Sequence, residues 1–217
     1  MLVHSIVRTN PDAEIIQCTD AETAAIPGTS RVVRTEGNPA NLMTYRIAAF
    51  AALQLRYPAL YLDTDMLVLD SIDPTALLGT KEVLFCRRDF DCDSLHSGSQ
   101  RGVEFPEHRG RPLGVVYPYV ACATISKSFE FWTSLRSIIE SLDERFHRWY
   151  GDQEAMRIWV ENDSHDRHGF LPESDFACLP ERQDHLQAAT ILHFKGHLRK
   201  PMMSRFYKVL FMDKNST

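Results

Sequence analysis

The sequence predicts an α/β fold with a mainly parallel central sheet and helices on both faces. Three observations carry the prediction. Ala59-Leu60-Tyr61-Leu62 is a short continuous apolar run bounded by polar residues, the pattern of a strand buried on both sides. Val83-Leu84-Phe85-Cys86 repeats that pattern. Segments with helical spacing of apolar residues precede and follow these runs, as in chains that alternate strand and helix.

In chain order, Leu2, Val3, Ile6 and Val7 fall at helical spacing, and Asn10-Pro11 ends the pattern. Strands are expected over Glu14–Cys18 and Arg31–Val33, separated by a Pro27-Gly28 turn. The chain thus reads as starting in a helix, with the first strand of an alternating α/β protein apparently missing. Asn38-Pro39 pairs a capping side chain with a proline suited to a first helical turn, so a buried helix is expected from there to Arg56. Tyr57-Pro58 leads into the 59–62 strand. Asp73-Pro74 opens a helical turn. Residues 87–113 show no period and carry Arg87, Arg88, Arg101, Arg109 and Arg111, which suggests a mobile lid or an ordered decoration. A strand over Tyr117–Ile125 is interrupted by Pro118 and so is expected to be bent or near an edge. Ser126 or Ser128 is expected to cap a helix bearing Phe129, Trp132, Leu135, Ile138 and Ile139. Asp152 is expected to cap the next helix, with Met156, Trp159 and Val160 on its apolar face. Short strands follow at 170–171, 176–179 and 190–194, then a basic turn and a C-terminal helix.

The 217 residues suit one domain, taken as 1–217. A hydrophobic share of 44% supplies a core, and a net charge of −5 offers no basic field for nucleic acid. No apolar run approaches a transmembrane length. The N-terminus lacks the zones of a signal peptide. The five cysteines are scattered without C-x-x-C spacing, which predicts reduced thiols and a cytoplasmic setting.

Chemistry concentrates at the end of the 59–62 strand. Asp63 and Asp65 lie two residues apart and in extended chain share a face, so their charges repel unless a cation sits between them. Mg²⁺ and Mn²⁺ take such oxygen ligands and leave positions for phosphate. A solvated acidic turn is the plainer alternative. Arg46 interrupts the apolar face shared by Leu42, Phe50 and Leu53; it needs a structural ion pair, a route to water, or an anionic or sugar ligand. Asp152 can cap its helix or meet a ligand. His165 and His168 beside Asp163 and Asp166 suggest a surface loop more simply than a metal site. His193-Phe194-Lys195-Gly196-His197-Leu198-Arg199-Lys200-Pro201 combines an imidazole, a flexible glycine and several cations, the groups a metal–diphosphate site uses.

Four spaced segments, Thr44-Tyr45-Arg46, Leu60 to Val68, Gly151-Asp152-Gln153 and His193 to Pro201, resemble those of GT-A-fold glycosyltransferases, most closely glycosyltransferase family 8 and its relatives. The resemblance spans roughly residues 40 to 205. It implies a GT-A fold, a nucleotide-sugar donor, expected to be a UDP-sugar, and a glycan, lipid-linked or protein acceptor. It implies Mn²⁺ (or Mg²⁺) held by Asp63, Asp65 and His193. Tyr45, Arg46, Asp63, Lys195, Gly196, Arg199 and Lys200 would bind the donor, with Arg46 on its sugar and Lys200 or Arg199 on its diphosphate. Asp152 and Gln153 would be the catalytic pair beside sugar and acceptor. Retaining chemistry is what the resemblance implies. Three residues separate Gly196 from Lys200 where the family pattern has two, and Ala121-Cys122-Ala123 replaces its Asn-Ser/Ala-Gly segment. Thr19-Asp20 is a candidate part of a base pocket. The rival readings are a non-catalytic nucleotide- or sugar-binding domain of the same fold and a haloacid-dehalogenase-type phosphatase. The latter also places D-x-D after a buried strand, but near its N-terminus.

Overall fold

The structure is a computed structural model that describes residues 1–212. The first elements are α1 (Leu2–Thr9), β1 (Ile16–Thr19), β2 (Arg31–Arg34), α2 (Leu42–Ala52), β3 (Ala59–Leu62) and β4 (Met66–Val68). Next come α3 (Pro74–Leu78), β5 (Val83–Arg87), a small hairpin of β6 (Ser99–Gln100) and β7 (Val103–Glu104), α4 (Leu113–Val116) and β8 (Tyr119–Ser126). The chain ends with α5 (Glu130–Glu140), α6 (Glu144–Arg148), α7 (Gly151–Glu161), β9 (His168–Pro172), α8 (Glu173–Phe176), β10 (Ile191–His193) and α9 (Lys200–Tyr207).

The central sheet has the order β3-β8-β5-β9. Strand β8 is antiparallel to both neighbours, while β5 and β9 are parallel. The α/β class holds, but the sheet is mixed rather than mainly parallel. Apolar runs report burial on both faces and are silent on direction, so β8 looks like a parallel strand in sequence. Pro118 precedes β8, which is central and paired on both sides rather than near an edge; the strand is irregular, because Phe85 pairs with Thr124 and the next residue, Cys86, with Val120, so the extra residues 121–123 of the register shift lie in β8. Two further pairs flank the sheet: β1–β2, parallel, and β4–β10, antiparallel.

Alternation along β5 divides the core. Val83 and Phe85 join Ile47, Trp132, Leu135, Ile139 and Met156 beneath α2, α5 and α7. Leu84 and Cys86 join Val120, Cys122, Ile125 and Leu171 on the other face, against α3, α8 and the inner side of α1. Trp132 is fully buried, stacks obliquely on Tyr61 with ring centroids 4.5 Å apart, and donates its indole N–H to Ser126 Oγ at 3.1 Å. Ser126 therefore serves the core, and α5 starts after Phe129 with no side-chain cap. Ser5 of α1 accepts the Val68 N–H at 3.0 Å, tying the first helix to β4.

Other boundaries shift for local reasons. Asn38 caps as expected, accepting the Ala40 N–H, but α2 ends at Ala52 because Gln54 turns into left-handed backbone at φ 48°. Residues 176–179 end a helical turn and make one bridge, Cys178 to Leu192, rather than a strand. The stretch 87–113 carries its own structure. It folds on Phe105 and Tyr117, both fully buried, which pack with Phe146 and Tyr150. That aromatic lobe has no sequence period because its residues meet other elements rather than one another along a strand or helix.

Candidate active site

Strand β3 delivers Asp63 to the end of the sheet, where its N–H donates to Cys122 O at 2.9 Å. Asp65 follows in the turn to β4, and its carbonyl accepts the Phe194 N–H at 2.8 Å, which brings in β10 and His193. Asp63, Asp65 and His193 thus each offer a ligand atom, all within 4.8 Å of one another. Among the described residues this is the grouping of His, Cys, Asp and Glu able to hold a metal ion. The donor set is two hard carboxylates and a borderline imidazole, which suits Mn²⁺ or Mg²⁺. His193 Nδ1 is buried without a hydrogen-bond partner, and Nε2 lies 3.6 Å from Asp65 Oδ1. The donor set and this unpartnered nitrogen fit an ion.

The three groups are electrostatically distinct. Burial pushes Asp63 up to about 6, against the pull of Arg46. Burial would also raise Asp65, but hydrogen bonding and charge from His193, then Lys200, outweigh it and hold the carboxyl at about 2. For His193, burial disfavours the charge, yet the Cys122 sulfur and the Asp65 carboxylate outweigh it and raise the pKa.

Arg46 projects from α2 into the same space. Its Nη2 meets Asp63 Oδ1 at 2.8 Å and Ala121 O at 2.7 Å, and Nη1 meets Asp152 Oδ2 at 3.3 Å. The charge that interrupts α2's apolar face is thus paired with two carboxylates, and the Ala121 carbonyl takes a further donor. Asp152 is not the helix cap. Tyr150 occupies that position in left-handed backbone at φ 62°, and α7 begins at Gly151. A Cβ on Gly151 would lie 2.1 Å from Phe146 O, so the helix enters here only through glycine. That entry buries Asp152 in the first turn, and burial raises its pKa while Arg46 opposes the rise.

Gln153 is turned by Arg88, a residue of the 87–113 stretch. Arg88 Nη2 donates to Gln153 Oε1 at 2.7 Å, and Arg88 Nε donates to Tyr117 O at 2.8 Å. A guanidinium has no acceptor, so the amide oxygen must face it and the amide N–H groups face away. Arg88 directly follows β5, as Asp63 directly follows β3; that parallel placement was the available signal. Glu173, fully buried after β9, accepts the Asp89 and Phe90 N–H groups at 2.7 and 2.8 Å and lies 3.5 Å from Lys195 Nζ. Nothing in its local sequence marks it.

The remaining candidates divide. Lys200 Nζ is 3.3 Å from Asp65 Oδ2 with its side chain more than half exposed. Arg199 is turned to Glu181, with Nε 2.6 Å from Oε1, so Lys200 is the cation that faces the acidic pair. Gly196 adopts φ 82°, which turns the chain between Lys195 and α9. The Tyr45 hydroxyl is held by Thr35, and its ring lies beside Gly37. Tyr45, Arg46, Asp63, Asp65, Asp152, Gln153, His193, Lys195, Gly196, Arg199 and Lys200 all border one cavity of about 1020 Å³. Thr19 and Asp20 do not; Asp20 instead accepts the Glu22 and Thr23 N–H groups in a tight turn. His168 pairs with Asp163 at 2.7 Å, a contact between neighbouring elements rather than a metal site.

No family model and no curated protein matches the sequence. Solved structures do. A glycosyltransferase involved in glycosylation of the major capsid of PBCV-1 aligns over 89% of this chain and 100% of its own, with TM-score 0.57 and 12% identity. The apo structure of the bifunctional glycosyltransferase WbbM aligns over 97% of this chain and 46% of its own, with TM-score 0.59 and 13% identity. The apo glycosyltransferase GlyE of Streptococcus pneumoniae aligns over 98% and 58%, with TM-score 0.54 and 14% identity. The chain therefore spans about half the length of the latter two. These likenesses show the fold, which is GT-A-like. No helix among the described residues is long and apolar enough to cross a membrane.

Proposed function

We propose that the protein is a metal-dependent glycosyltransferase that moves a sugar from a nucleotide diphosphate donor, a UDP-sugar first among candidates, to an acceptor hydroxyl. The observation that carries this reading is the grouping of Asp63, Asp65 and His193 within 4.8 Å on a cavity also lined by Arg46, Lys195 and Lys200. Two carboxylates and an imidazole are an ion site, and the adjacent cations are a diphosphate site. The fold shared with solved glycosyltransferases supports it.

In this reading Asp63, Asp65 and His193 would hold Mn²⁺ or Mg²⁺, which would supply Lewis-acid stabilisation of the leaving nucleoside diphosphate. Lys200, exposed and 3.3 Å from Asp65, adds positive charge where the leaving group gathers its negative charge. Arg46 opposes the rise in the pKa of Asp63 and orients its carboxylate. Gln153, its oxygen occupied by Arg88, presents an amide N–H to a sugar or acceptor hydroxyl. A nucleophilic role for that oxygen would require breaking the Arg88 bond, so we assign Gln153 to positioning. Asp152, buried against Arg46, holds the guanidinium rather than attacking.

Thermal denaturation with UDP and a panel of nucleotide sugars, each with and without Mn²⁺, tests the reading. A donor that stabilises the protein only with Mn²⁺ is expected. Turnover of that donor separates an enzyme from a binding domain.

A further inference from the structure

The cavity continues past the acidic cluster. On α2, Arg46 reaches Asp63 and Asp152. Leu42, one helical turn earlier on the same face, borders both the large cavity and a hollow of about 180 Å³ beside it. Arg101 and Trp149 also border both, and Ala40, Val103 and Arg148 complete the hollow. Trp149 stands just ahead of Tyr150-Gly151-Asp152-Gln153, where α7 opens. The hollow therefore adjoins the side of the cavity that carries Gln153.

Arg101 sits in strained backbone. Ser99 pairs with Glu104 and Gln100 with Val103, so Arg101 and Gly102 alone turn the β6–β7 hairpin. Both take left-handed backbone, at φ 49° and 76°. Such turns favour Asn or Asp followed by Gly, and a long side chain in the first position is unfavourable. This placement sets the Arg101 guanidinium carbon 4.4 Å from the centre of the Trp149 ring, a cation–π contact. Trp149 packs against two core clusters, so the platform beneath the guanidinium is held in place. The acids bordering the cavity are engaged elsewhere: Asp63 and Asp152 by Arg46, Asp65 by Lys200, Asp91 by Lys195 and Glu14 by Arg31. Arg88 is held by Gln153 and the Tyr117 carbonyl and Arg101 by the Trp149 ring, so no carboxylate among the described residues cancels either charge. Arg148 adds a second exposed guanidinium to the hollow.

We propose that Arg101, seated on Trp149, makes the acceptor side of the cavity selective for an acidic saccharide, one that carries a carboxylate or a phosphate. This rests on the glycosyltransferase reading above. A neutral sugar would stack on an open indole face, but here a guanidinium covers that face. The hollow therefore offers charged N–H donors, whose planar fork matches the oxygens of a carboxylate or phosphate. The anion meets Arg101 and Arg148 while a hydroxyl of the same saccharide reaches the donor beside Gln153. In the transfer, that hydroxyl oxygen bonds to the anomeric carbon of the donor sugar as the bond from that carbon to the diphosphate breaks. The electron pair of the broken bond leaves with the diphosphate, and the hydroxyl proton passes to the departing phosphate oxygen. Arg101 touches no reacting atom and acts on which acceptor is held.

The probes are methyl glucuronide, methyl galacturonide and glucose 1-phosphate, each set against methyl glucoside or methyl galactoside. Binding is read from the Trp149 indole N–H resonance, identified by its loss in Trp149→Phe, with no nucleotide or metal present. At least one acidic saccharide should shift that resonance at concentrations about ten-fold or more below its neutral counterpart. Arg101→Asn, the residue this turn favours, should keep or raise the melting temperature and remove the preference, while Arg101→Lys should retain part of it. With a donor found in the thermal screen, the same saccharide should increase nucleoside diphosphate release, and Arg101→Asn should raise its KM about ten-fold or more with a smaller effect on kcat. The proposal is overturned if acidic and neutral saccharides bind alike, if Arg101→Asn keeps the preference, or if acetate and inorganic phosphate shift the resonance as strongly as the saccharides. It is also overturned if the donor is hydrolysed by water and the bound saccharide leaves its release unchanged. A preference at Trp149 with no donor bound or turned over would support the acidic-saccharide site and overturn the glycosyltransferase reading instead.

Discussion

Arg46 and Asp63 meet at 2.8 Å, Nη2 to Oδ1, and the same guanidinium also holds Asp152 and the Ala121 carbonyl. One side chain thereby ties α2, the end of β3, β8 and the start of α7 together at the cavity. The sequence posed a structural ion pair and a ligand contact as alternatives for Arg46. Here the ion pair is made, and it is made by the residues expected to bind donor and metal. Removing Arg46 therefore acts on fold and site together.

Replacing Arg46 with Met leaves Asp152 buried and Asp63 half-buried without their partner, and should cost about 3 to 5 kcal/mol in urea unfolding. Arg46→Lys keeps the charge but cannot reach three oxygens at once, and should cost less, about 1 to 3 kcal/mol. Mn²⁺ should recover part of either loss, because a cation at Asp63 replaces the missing charge. A loss unchanged by saturating Mn²⁺ would separate the ion pair from the metal site.

Asp65→Asn should remove the Mn²⁺-dependent thermal shift with nucleoside diphosphate, lowering metal affinity by roughly two orders of magnitude or more. If the proposed site holds Mn²⁺, the ion must displace a proton from His193, whose pKa is raised by its neighbours. Affinity for Mn²⁺ should therefore rise as pH is increased from about 6 to about 8, since only the neutral imidazole is a ligand. Calorimetric titration of Mn²⁺ at several pH values reads this directly, and a flat profile would exclude His193.

Arg88→Ala frees the Gln153 amide to flip without touching the acidic cluster. Nucleoside diphosphate affinity should stay within about two-fold, while turnover of the donor found in the thermal screen should fall about 10- to 100-fold. Equal loss of binding and turnover would mean that Arg88 acts on the diphosphate instead.

Gly151→Ala places a methyl group against Phe146 O and Ile139 at the entry to α7. A stability loss of about 1 to 3 kcal/mol is expected from that overpacking. Because α7 carries Asp152 and Gln153, turnover should fall further than the unfolded fraction explains.

Asp163 gives an acid-range signature away from the site. Burial would raise its pKa, but hydrogen bonds from His168 and Arg167 outweigh that and hold it well below the usual carboxylate range. An acid with a depressed folded-state pKa contributes stability that is present above its unfolded value of about 3.9 and lost as pH falls below it. Asp163→Asn should lower stability near pH 7 by about 1.5 to 3 kcal/mol and flatten the acid limb of the stability curve. An unchanged acid limb would show that other carboxylates govern it.

The sequence alone determined the α/β class, the strands at 59–62 and 83–86, the helices carrying Arg46 and Asp152, and the short set of residues that border the cavity; it did not show that the 59–62 strand lies at the sheet edge, with only Tyr61 buried. These were legible because burial writes itself as apolar runs and periodicity, and because carboxylates, an imidazole and cations stand out against them. Strand direction was not legible. In β8, Val120 to Ser126 is buried on both faces, and the same apolar run would serve a parallel or an antiparallel strand. Nor was the lobe over 87–117, whose Phe105 and Tyr117 pack against Phe146 and Tyr150 from distant segments.

What only the tertiary structure decided is pairing: that Lys200 rather than Arg199 faces Asp65, that Arg88 belongs to Gln153, and that Glu173 anchors Lys195. Each of these joins segments far apart in the chain. Side-chain identity limits which partners a residue can accept, but distance and angle choose among them, and those exist only once the backbone has folded.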